Sequence, residues 1–292
     1  MDQQHLGKTK LGIELANKID GEIISCDSMQ IYKDMNIGTA KPTDEELKMA
    51  KHHLVDFVMP DTRYTVADFK KDAESQIEEI ISRNKTPILV GGTGLYVNSL
   101  VYNIEFKEEI TDLEYRKELE KYDNSKLYEM SNEIDEIATS KISHNDRKRL
   151  MRVIEIYHTT GKTKTELELE SRKKLKYDYK IFVLNMDREK LYDRINKRVD
   201  IMIDQGLIDE VKKLLEKYDN FPTAMQALGY KEVKEYLDEK LTKEEMIDKI
   251  KQESRRYAKR QITWFKRYEN AIWLDAENTN NVNIILEELN NG

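Results

Sequence analysis

The fold is decided by residues 7–28, which read GKTKLGIELANKIDGEIISCDS. Leu11, Leu15 and Ile19 recur at helical spacing, and the apolar run that follows them is typical of a buried strand. A Gly-Lys-Thr triplet directly before such a helix matches the second half of a phosphate-binding pattern, GxxxxGK followed by Ser or Thr. The stretch therefore predicts a helix whose N-terminus can bind an anion, followed by a strand.

The first half of this pattern is altered. Asp2 stands where the pattern has its first glycine, and no strand-like run precedes it. In a shifted reading frame the codons of residues 1–6 can encode Gly-Pro-Thr-Ala-Ser, which would complete the motif. We hypothesise that one inserted base shifted the frame and that Met1 is an internal start; the alternative is an authentic divergent N-terminus. We therefore expect the first strand of the core to be missing and catalysis to be impaired.

Composition narrows the class of protein. The chain has 292 residues, of which 39% are hydrophobic and 36% charged, with no apolar run long enough to cross a membrane. The single cysteine, Cys26, cannot form an internal disulfide and suits a reducing cytoplasm, which is the expected location. The net charge of −7 gives no overall attraction to nucleic acid, so any such site must be a local basic patch.

Short apolar runs alternate with helical patterns, which favours a parallel α/β sheet. We predict strands over residues 22–26, 54–58, 86–90, 181–186 and 271–274. Residues 107–177 contain no convincing strand and are rich in Glu, Lys, Arg and Tyr. The sequence thus predicts an α/β core made of residues 1–106 and 178–292, with residues 107–177 as a helical insertion domain.

Two groups are candidates for phosphate chemistry. Lys8 and Thr9 place an ammonium and a hydroxyl at a helix N-terminus, which can clamp a diphosphate with Thr9 near a magnesium ion; the alternative is a capping threonine beside a surface lysine. The turn Gly91-Gly92-Thr93-Gly94 follows a predicted strand and can bring a hydroxyl to a phosphate oxygen. The alternative there is a plain tight turn.

Asp27 follows the strand predicted at 22–26, so it lies at the carboxyl edge of the sheet, where open α/β folds bind their ligands. A carboxylate there can act as a general base, and the alternative is a cap for the next turn. Neighbouring Cys26 is expected in the core. The pair His52-His53 is expected at a strand edge, and no zinc site is predicted.

Two basic clusters predict contact with RNA. One lies on a C-terminal helix, where Arg256, Arg260, Thr263 and Arg267 form one stripe flanked by Tyr257 and Trp264. Guanidinium groups beside aromatic rings can hold phosphates and stack on unpaired bases, although a solvated helix face would look similar. A second run, Arg147-Lys148-Arg149 with Arg152, lies in the insertion and could reach another side of an RNA.

Seven blocks of the sequence resemble one known family. They read GKTKLGIELA, IISCDSMQIYKDMNIGTAKP, VDFVMPDTRYTVADF, PILVGGTGLYV, HNDRKRLMRVIEIYHTTGKTKTEL, MQALGYKEV and YAKRQITWFKRY. In this order they resemble the tRNA dimethylallyltransferases, bacterial isopentenyltransferases that modify adenosine 37. The blocks run from residue 7 to about residue 275, and those containing DSMQIYKDMNIGTAKP and KRQITWF are specific to this family.

The resemblance implies a P-loop-kinase-like core and an insertion that grips the tRNA anticodon stem-loop. It implies transfer of a dimethylallyl group from dimethylallyl diphosphate to N6 of adenosine 37, with Mg²⁺ as cofactor and a monomeric enzyme. The diphosphate would bind Gly7, Lys8, Thr9 and Thr93, with the metal near Thr9. Asp27, Thr93 and Lys231 would be catalytic, and the adenine would be flipped out of its stack.

The tRNA contacts that the resemblance implies form four runs. They are Asp27, Ser28, Met29 and Gln30; Lys148, Arg149, Leu150, Met151 and Arg152; Gln226, Ala227, Leu228, Gly229, Tyr230 and Lys231; and Lys259, Arg260, Gln261, Ile262, Thr263, Trp264, Phe265 and Lys266. Lys231 stands where some members carry arginine, which keeps the charge but loses a bidentate donor. Two alternatives remain: a P-loop small-molecule kinase, and a tRNA-binding remnant inactivated by its altered loop.

Overall fold

The structure is a computed structural model that describes residues 7–104, 106, 112–172 and 175–290. The altered half of the phosphate-binding motif, residues 1–6, lies outside these ranges. The structure therefore does not test the hypothesis on the reading frame. The chain divides into two compact units, one formed by Met1–Val97 with Tyr179–Gly292 and the other by Asn98–Asp178. Within the described ranges, no helix combines the length and the apolar character needed to cross a membrane.

The first unit carries all five described strands. In its N-terminal part the elements are α1 (Lys8–Lys18), β1 (Gly21–Ser25), α2 (Asp44–Met49), β2 (His52–His53), α3 (Val66–Ser82), β3 (Thr86–Val90) and the start of α4 (Gly94–Val101). In its C-terminal part they are β4 (Phe182–Asn185), α10 (Arg188–Asp204), α11 (Leu207–Lys217), a 3₁₀ turn (Ala224–Gln226), α12 (Tyr230–Leu237), α13 (Lys243–Phe265), β5 (Ile272–Asp275) and α14 (Asn281–Asn290).

Every strand pair in this unit is parallel. One sheet has the order β2-β1-β3, with Ile23 opposite both His52 and Ile88, and the other pairs β4 with β5. The predicted α/β class with parallel strands is therefore confirmed. The apolar residues of β1 and β3 pack under α1, where Gly12 lets the helix approach Val90 so closely that a Cβ would lie 2.9 Å from its Cγ2.

The prediction of a strand at residues 54–58 is wrong. Leu54 and Asp56 have φ values of 58° and 57°, a left-handed conformation that breaks an extended strand. Val58 makes only an isolated bridge to Tyr32. The strand lies instead one step earlier, at His52–His53, so the two histidines form a short strand at the end of the described three-stranded sheet.

All regular elements described in the second unit are helices. It contains α5 (Leu113–Leu119), α6 (Asn124–Ile134), α7 (Glu136–Thr139), α8 (Arg147–Thr160) and α9 (Lys164–Arg172). Aspartates 112, 123, 135 and 146 each accept a backbone N–H at the start of α5, α6, α7 or α8, which explains where these helices begin. The apolar faces of α5, α6 and α8 meet in one core.

A buried carboxylate joins the strands at their amino ends. Glu22 in β1 is only 3% exposed and accepts hydrogen bonds from Arg83 Nη2 at 2.8 Å and from His53 Nε2 at 2.7 Å. The hydrogen bonds from Arg83 hold the pKa of Glu22 far below its ordinary value of 4.5. Removing one partner of such a buried pair leaves the other charge uncompensated, so Glu22 is expected to stabilise the sheet.

We expect the Glu22→Gln variant to unfold more easily than the wild type by roughly 1–3 kcal/mol at neutral pH. Because the folded-state pKa of Glu22 lies below the unfolded value, this contribution is complete above about pH 5 and fades as the pH falls. Urea unfolding measured at several pH values should therefore show a flatter acid limb for the variant. Glu79→Gln is the matched control, since exposed Glu79 bonds the same arginine. Equal losses in both variants would contradict the prediction.

Candidate active site

A cavity of about 450 Å³ opens at the carboxyl ends of β1 and β3, the edge that the sequence predicts for ligand binding. Its wall is drawn from the N-terminus of α1, the turn after β1, the turn after β3 and the inner face of α13. Gly38–Ala40, Gln226 with the two residues after it, and parts of β4 and α10 also line it. All of these elements belong to the first unit.

Lys8 and Thr9 form one end of the cavity. Gly7 precedes α1 with a φ of 68°, and Thr9 is buried with 6% exposure. Burial lowers the pKa of the Lys8 ammonium, against a smaller raising effect of Asp27. Because burial disfavours the charged form of Lys8, an anion bound at this helix N-terminus would stabilise the ammonium. Of the four predicted diphosphate-binding residues, Lys8 and Thr9 line the cavity, whereas Gly7 and Thr93 are not part of its lining.

Asp27 lines the same cavity as Lys8. Its Oδ1 accepts the backbone N–H of Met29 at 2.9 Å and that of Gln30 at 3.4 Å. The sequence left open whether Asp27 caps a turn or faces a ligand. In the structure it caps the turn and also lines the cavity. The cap holds the carboxylate in one orientation at the cavity wall.

The turns after β1 and β3 are bound to each other. The N–H of Thr93 donates to the carbonyl of Cys26 at 3.1 Å, and the Thr93 hydroxyl accepts the N–H of Ser28 at 3.0 Å. A Cβ on Gly91 would overlap the Cys26 carbonyl, so only glycine allows this approach. The Thr93 hydroxyl therefore holds the Asp27-Ser28 turn, and its predicted catalytic and diphosphate-binding roles stay predictions.

Cys26 lies in the core, as the sequence indicates. It is fully buried between the two turns, and burial raises the pKa of its thiol to about 12. A thiol that stays protonated at neutral pH is a poor nucleophile.

Helix α13 closes the site against the glycine turn. Gln261 Nε2 donates to the carbonyl of Gly92 at 2.8 Å, and a Cβ on Gly94 would overlap the ring of Trp264. Arg256 and Thr263 of the predicted stripe are exposed and outside the cavity lining, whereas Arg260 is exposed and also contributes to that lining. Helix α13 thus has a polar outer stripe and an inner face, including Tyr257 and Gln261, that lines the cavity.

Two arginines at the C-terminal end of α13 stack on aromatic rings. The guanidinium of Arg260 lies 5.6 Å from the ring centre of Tyr257, and that of Arg267 lies 4.8 Å from the ring centre of Trp264. Stacking holds each planar cation at the surface while its outer face remains available. This is the arrangement that the basic-aromatic pattern predicts for an RNA-binding surface.

The remaining predicted residues of the first unit fall into two groups. Met29, Gln30, Gln226, Ala227, Leu228, Arg260, Gln261, Ile262 and Phe265 line the cavity, whereas Lys231, Lys259, Thr263 and Lys266 are exposed and outside its lining. Tyr230 is fully buried, and Gly229 packs beside Leu207. The structure therefore does not bring Lys231 to the cavity wall, and its catalytic role stays a prediction.

In the second unit, helix periodicity divides the predicted run on α8. Leu150 and Met151 are buried in the core between α5, α6 and α8, so their side chains are not placed to meet RNA. Lys148 and Arg149 are exposed. Arg152 is half-buried, and its Nη1 lies 3.8 Å from Glu155 Oε2. Arg147 donates to main-chain carbonyls at the end of α5, including that of Leu119 at 3.2 Å, which is a structural role.

Two of the contributors that the sequence missed are polar groups of the cavity wall. Arg198 in α10 is 9% exposed, lines the cavity and adds a second positive charge near Lys8. Nothing distinguishes it in the sequence from the other charged residues of α10. The backbone of Gly38–Ala40 forms another part of the wall. In this segment, the glycine at position 38 is the residue type that indicates close packing. In the structure a Cβ there would overlap the ring of Tyr230.

Comparisons with known proteins show the family of this chain. The family model described as IPP transferase matches residues 30–268 of the chain. The chain belongs to this family. It is 49% identical over 289 residues to a tRNA dimethylallyltransferase of Acetivibrio thermocellus, covering 97% of this chain and 92% of that one. It is 48% identical over 270 residues to that of Anoxybacillus flavithermus, covering 92% and 87%.

Solved structures give the same result. The tRNA delta(2)-isopentenylpyrophosphate transferase of Staphylococcus epidermidis matches with a TM-score of 0.73 and 42% identity over 98% of this chain and 96% of that one. A eukaryotic dimethylallyltransferase acting on tRNA matches with a TM-score of 0.82 and 32% identity over 97% and 75%. The resemblance and the P-loop-like fold class are therefore confirmed, and the transferase interpretation is favoured over the kinase alternative.

The close packing at Gly92 makes a specific prediction. A Cβ there would overlap Gln261 Nε2 and lie 3.1 Å from Lys8 Nζ, so Gly92→Ala should displace the Gln261 amide and break its hydrogen bond to the Gly92 carbonyl. We expect the variant to lose roughly 0.5–1.5 kcal/mol of stability, the usual contribution of one hydrogen bond. Chemical unfolding measures this loss.

The double variant Gly92→Ala with Gln261→Ala tests the cause. Shortening Gln261 removes the overlapping amide, so the double variant should be more stable than the sum of the two single losses. Additive losses would show that the Gly92–Gln261 contact is not the source.

Proposed function

We propose that this chain transfers a dimethylallyl group from dimethylallyl diphosphate to N6 of adenosine 37 in tRNA. The observation that carries the proposal is the joint placement of Lys8, Thr9 and Asp27 in one cavity. The cavity is closed by a helix whose outer face carries exposed cations. A phosphate-binding helix terminus, a candidate base and a basic surface are the three parts that such a transfer needs.

The diphosphate is proposed to lie at the N-terminus of α1. There the Lys8 ammonium, the helix N–H groups and the nearby charge of Arg198 would meet the leaving group. As the bond between the prenyl carbon and the diphosphate oxygen breaks, negative charge grows on the diphosphate. Fixed positive groups stabilise that charge more in the transition state than in the ground state, which lowers the barrier.

Asp27 is proposed to take the proton from the acceptor. The lone pair of the adenine N6 forms the new bond to the prenyl carbon, and the amine becomes acidic as it does so. The proton then passes to the Asp27 carboxylate while the diphosphate leaves with the electron pair of the broken bond. Both hydrogen bonds to Asp27 Oδ1 come from the backbone of the next turn, so the carboxylate is already oriented for this transfer.

Mg²⁺ fits the donor set at this end of the cavity. The ion prefers oxygen ligands and often binds through one or two protein groups together with substrate phosphates. The Thr9 hydroxyl and the Asp27 carboxylate both line the cavity. We propose that Thr9 holds the metal with the diphosphate oxygens, where the ion would neutralise charge on the leaving group.

The tRNA is proposed to lie on the outer face of α13. Lys259, Arg260 and Lys266 are exposed there, which gives an acidic protein a local cationic surface for phosphates. The adenine must leave its stack to reach Asp27, at a cost of a few kcal/mol that contacts with its neighbours offset. In the second unit, Lys148, Arg149 and Arg152 are proposed to contact the anticodon stem-loop.

Incubation with tRNA and labelled dimethylallyl diphosphate tests the proposed function. We expect label on adenosine 37, and a loss of roughly 100-fold in kcat/KM for the Lys8→Met variant, because one fixed positive donor to the diphosphate is removed. Lys10→Met is the matched control, since Lys10 lies two residues further on the same helix and is exposed.

The other outcomes identify the alternatives. Binding of tRNA without any product would support the inactive remnant, and turnover of nucleoside triphosphate without prenylation would support a kinase. Equal activity of the Lys8 and Lys10 variants would remove the proposed diphosphate site.

The salt dependence of tRNA binding tests the surface of α13. Arg260→Ala should weaken binding and reduce the slope of log K against log salt concentration by about 1, because one phosphate contact is lost. Arg188→Ala is the matched control: this arginine of α10 is also exposed and lies 5.2 Å from the ring centre of Tyr192. An unchanged slope for Arg260→Ala would exclude this residue from the interface.

A further inference from the structure

A carboxylate outside the predicted site holds one wall of the cavity. Glu210 of α11 accepts three consecutive backbone N–H groups, with distances of 2.9 Å from Asn36 to Oε2, 2.9 Å from Ile37 to Oε2 and 3.3 Å from Gly38 to Oε1. Glu210 and the segment that it binds are more than 170 residues apart in the chain. Hydrogen bonds to an ionised acceptor are among the stronger ones in proteins, so this carboxylate fixes the conformation of the segment.

Tyr230 completes the arrangement from the start of α12. Its hydroxyl donates to Glu210 Oε1 at 2.5 Å, and its fully buried ring lies against Gly38, where a Cβ would overlap it. Burial, reinforced by the Glu210 charge, raises the pKa of Tyr230 well above its ordinary value, so the phenol remains a donor. Glu210 and Tyr230 therefore hold residues 36–38 as one unit.

The same segment is held on its other side by the turn that carries Asp27. Gln30 Nε2 donates to the carbonyls of Thr39 at 3.3 Å and Ala40 at 3.0 Å, and Gln30 Oε1 accepts the Ser25 hydroxyl at 3.2 Å. These bonds use both ends of the Gln30 amide. Gln30 therefore links the Asp27 turn to the wall segment, which is a structural task different from the tRNA contact that the resemblance implies.

Gly38, Thr39 and Ala40 line the same cavity as Asp27, Lys8 and Thr9. We propose that Glu210 is a positioning residue that fixes this backbone wall for the acceptor adenine. The inference rests on the proposed function, because it assumes that Asp27 takes a proton from that base. A wall displaced by a fraction of an ångström would misplace the amine relative to the carboxylate and slow the reaction.

The Glu210→Gln variant tests the inference with the full chain. A glutamine keeps the shape but offers one acceptor oxygen where the carboxylate offers two, so its NH₂ group would face N–H donors. Amide hydrogen exchange should become at least tenfold faster at residues 36–38, on the order expected for losing charge-assisted bonds. Steady-state kinetics should show KM for tRNA rising roughly tenfold or kcat falling by as much, with KM for dimethylallyl diphosphate within about twofold.

Glu216→Gln is the matched control, because Glu216 is exposed on the same helix and undergoes the same chemical change. It should leave exchange and both KM values unchanged. Tyr230→Phe keeps the ring against Gly38 and removes only the hydroxyl, so it guards against a Glu210 variant that fails to fold. We expect it to shift the tRNA parameters in the same direction by a smaller factor, and non-additively with Glu210→Gln.

The outcomes separate the two levels of the argument. A wild-type chain that forms no prenylated tRNA would overturn the proposed function. An active wild type with unchanged tRNA kinetics in both Glu210→Gln and Tyr230→Phe would overturn the positioning role. A fall in kcat no larger than the unfolded fraction of the variant, with both KM values unchanged, would show that Glu210 only stabilises the fold.

Discussion

The close approach of Gly91 to the backbone of Cys26 is the constraint on which the rest of the site depends. Because a side chain at Gly91 would overlap the Cys26 carbonyl, only glycine lets the turns after β1 and β3 hydrogen-bond to each other. Through that contact the Thr93 hydroxyl holds the Ser28 backbone, which places Asp27 at the cavity wall. Helix α13 then packs on the neighbouring glycine, so Asp27, Lys8 and the inner face of α13 line one cavity.

Charged groups differ in their effects at the two ends of the strands. At the amino ends of the strands, buried Glu22 gathers cations and stabilises the sheet. At the carboxyl ends, burial lowers the pKa of Lys8, so an anion bound there would stabilise its charged form. The exposed arginines of α13 add cationic surface beside this site, so a chain with a net charge of −7 can still present a local surface for RNA.

Much of the site could be predicted because short segments carry their own geometry. The spacing of Leu11 and Leu15 specifies a helix, and the position of Asp27 after an apolar run specifies the edge of a sheet. The strand at residues 54–58 could not be excluded in this way, since its composition is apolar and only the left-handed backbone at Leu54 and Asp56 rules it out. The roles of Arg198 and Glu210 could not be predicted from the sequence. Each is one charged residue among several on its helix, and the sequence does not indicate which of these residues faces a distant segment.

By itself the sequence determined the family, the parallel α/β class, the helical character of the second unit and the cluster that includes Lys8, Thr9 and Asp27. These features depend on local periodicity and on motifs whose residues lie close together in the chain. Only the tertiary structure decided that Leu150 and Met151 face a core, that Lys231 lies outside the cavity lining and that Glu210 holds residues 36–38. Those outcomes depend on which distant segments pack together, and packing is set by the whole fold.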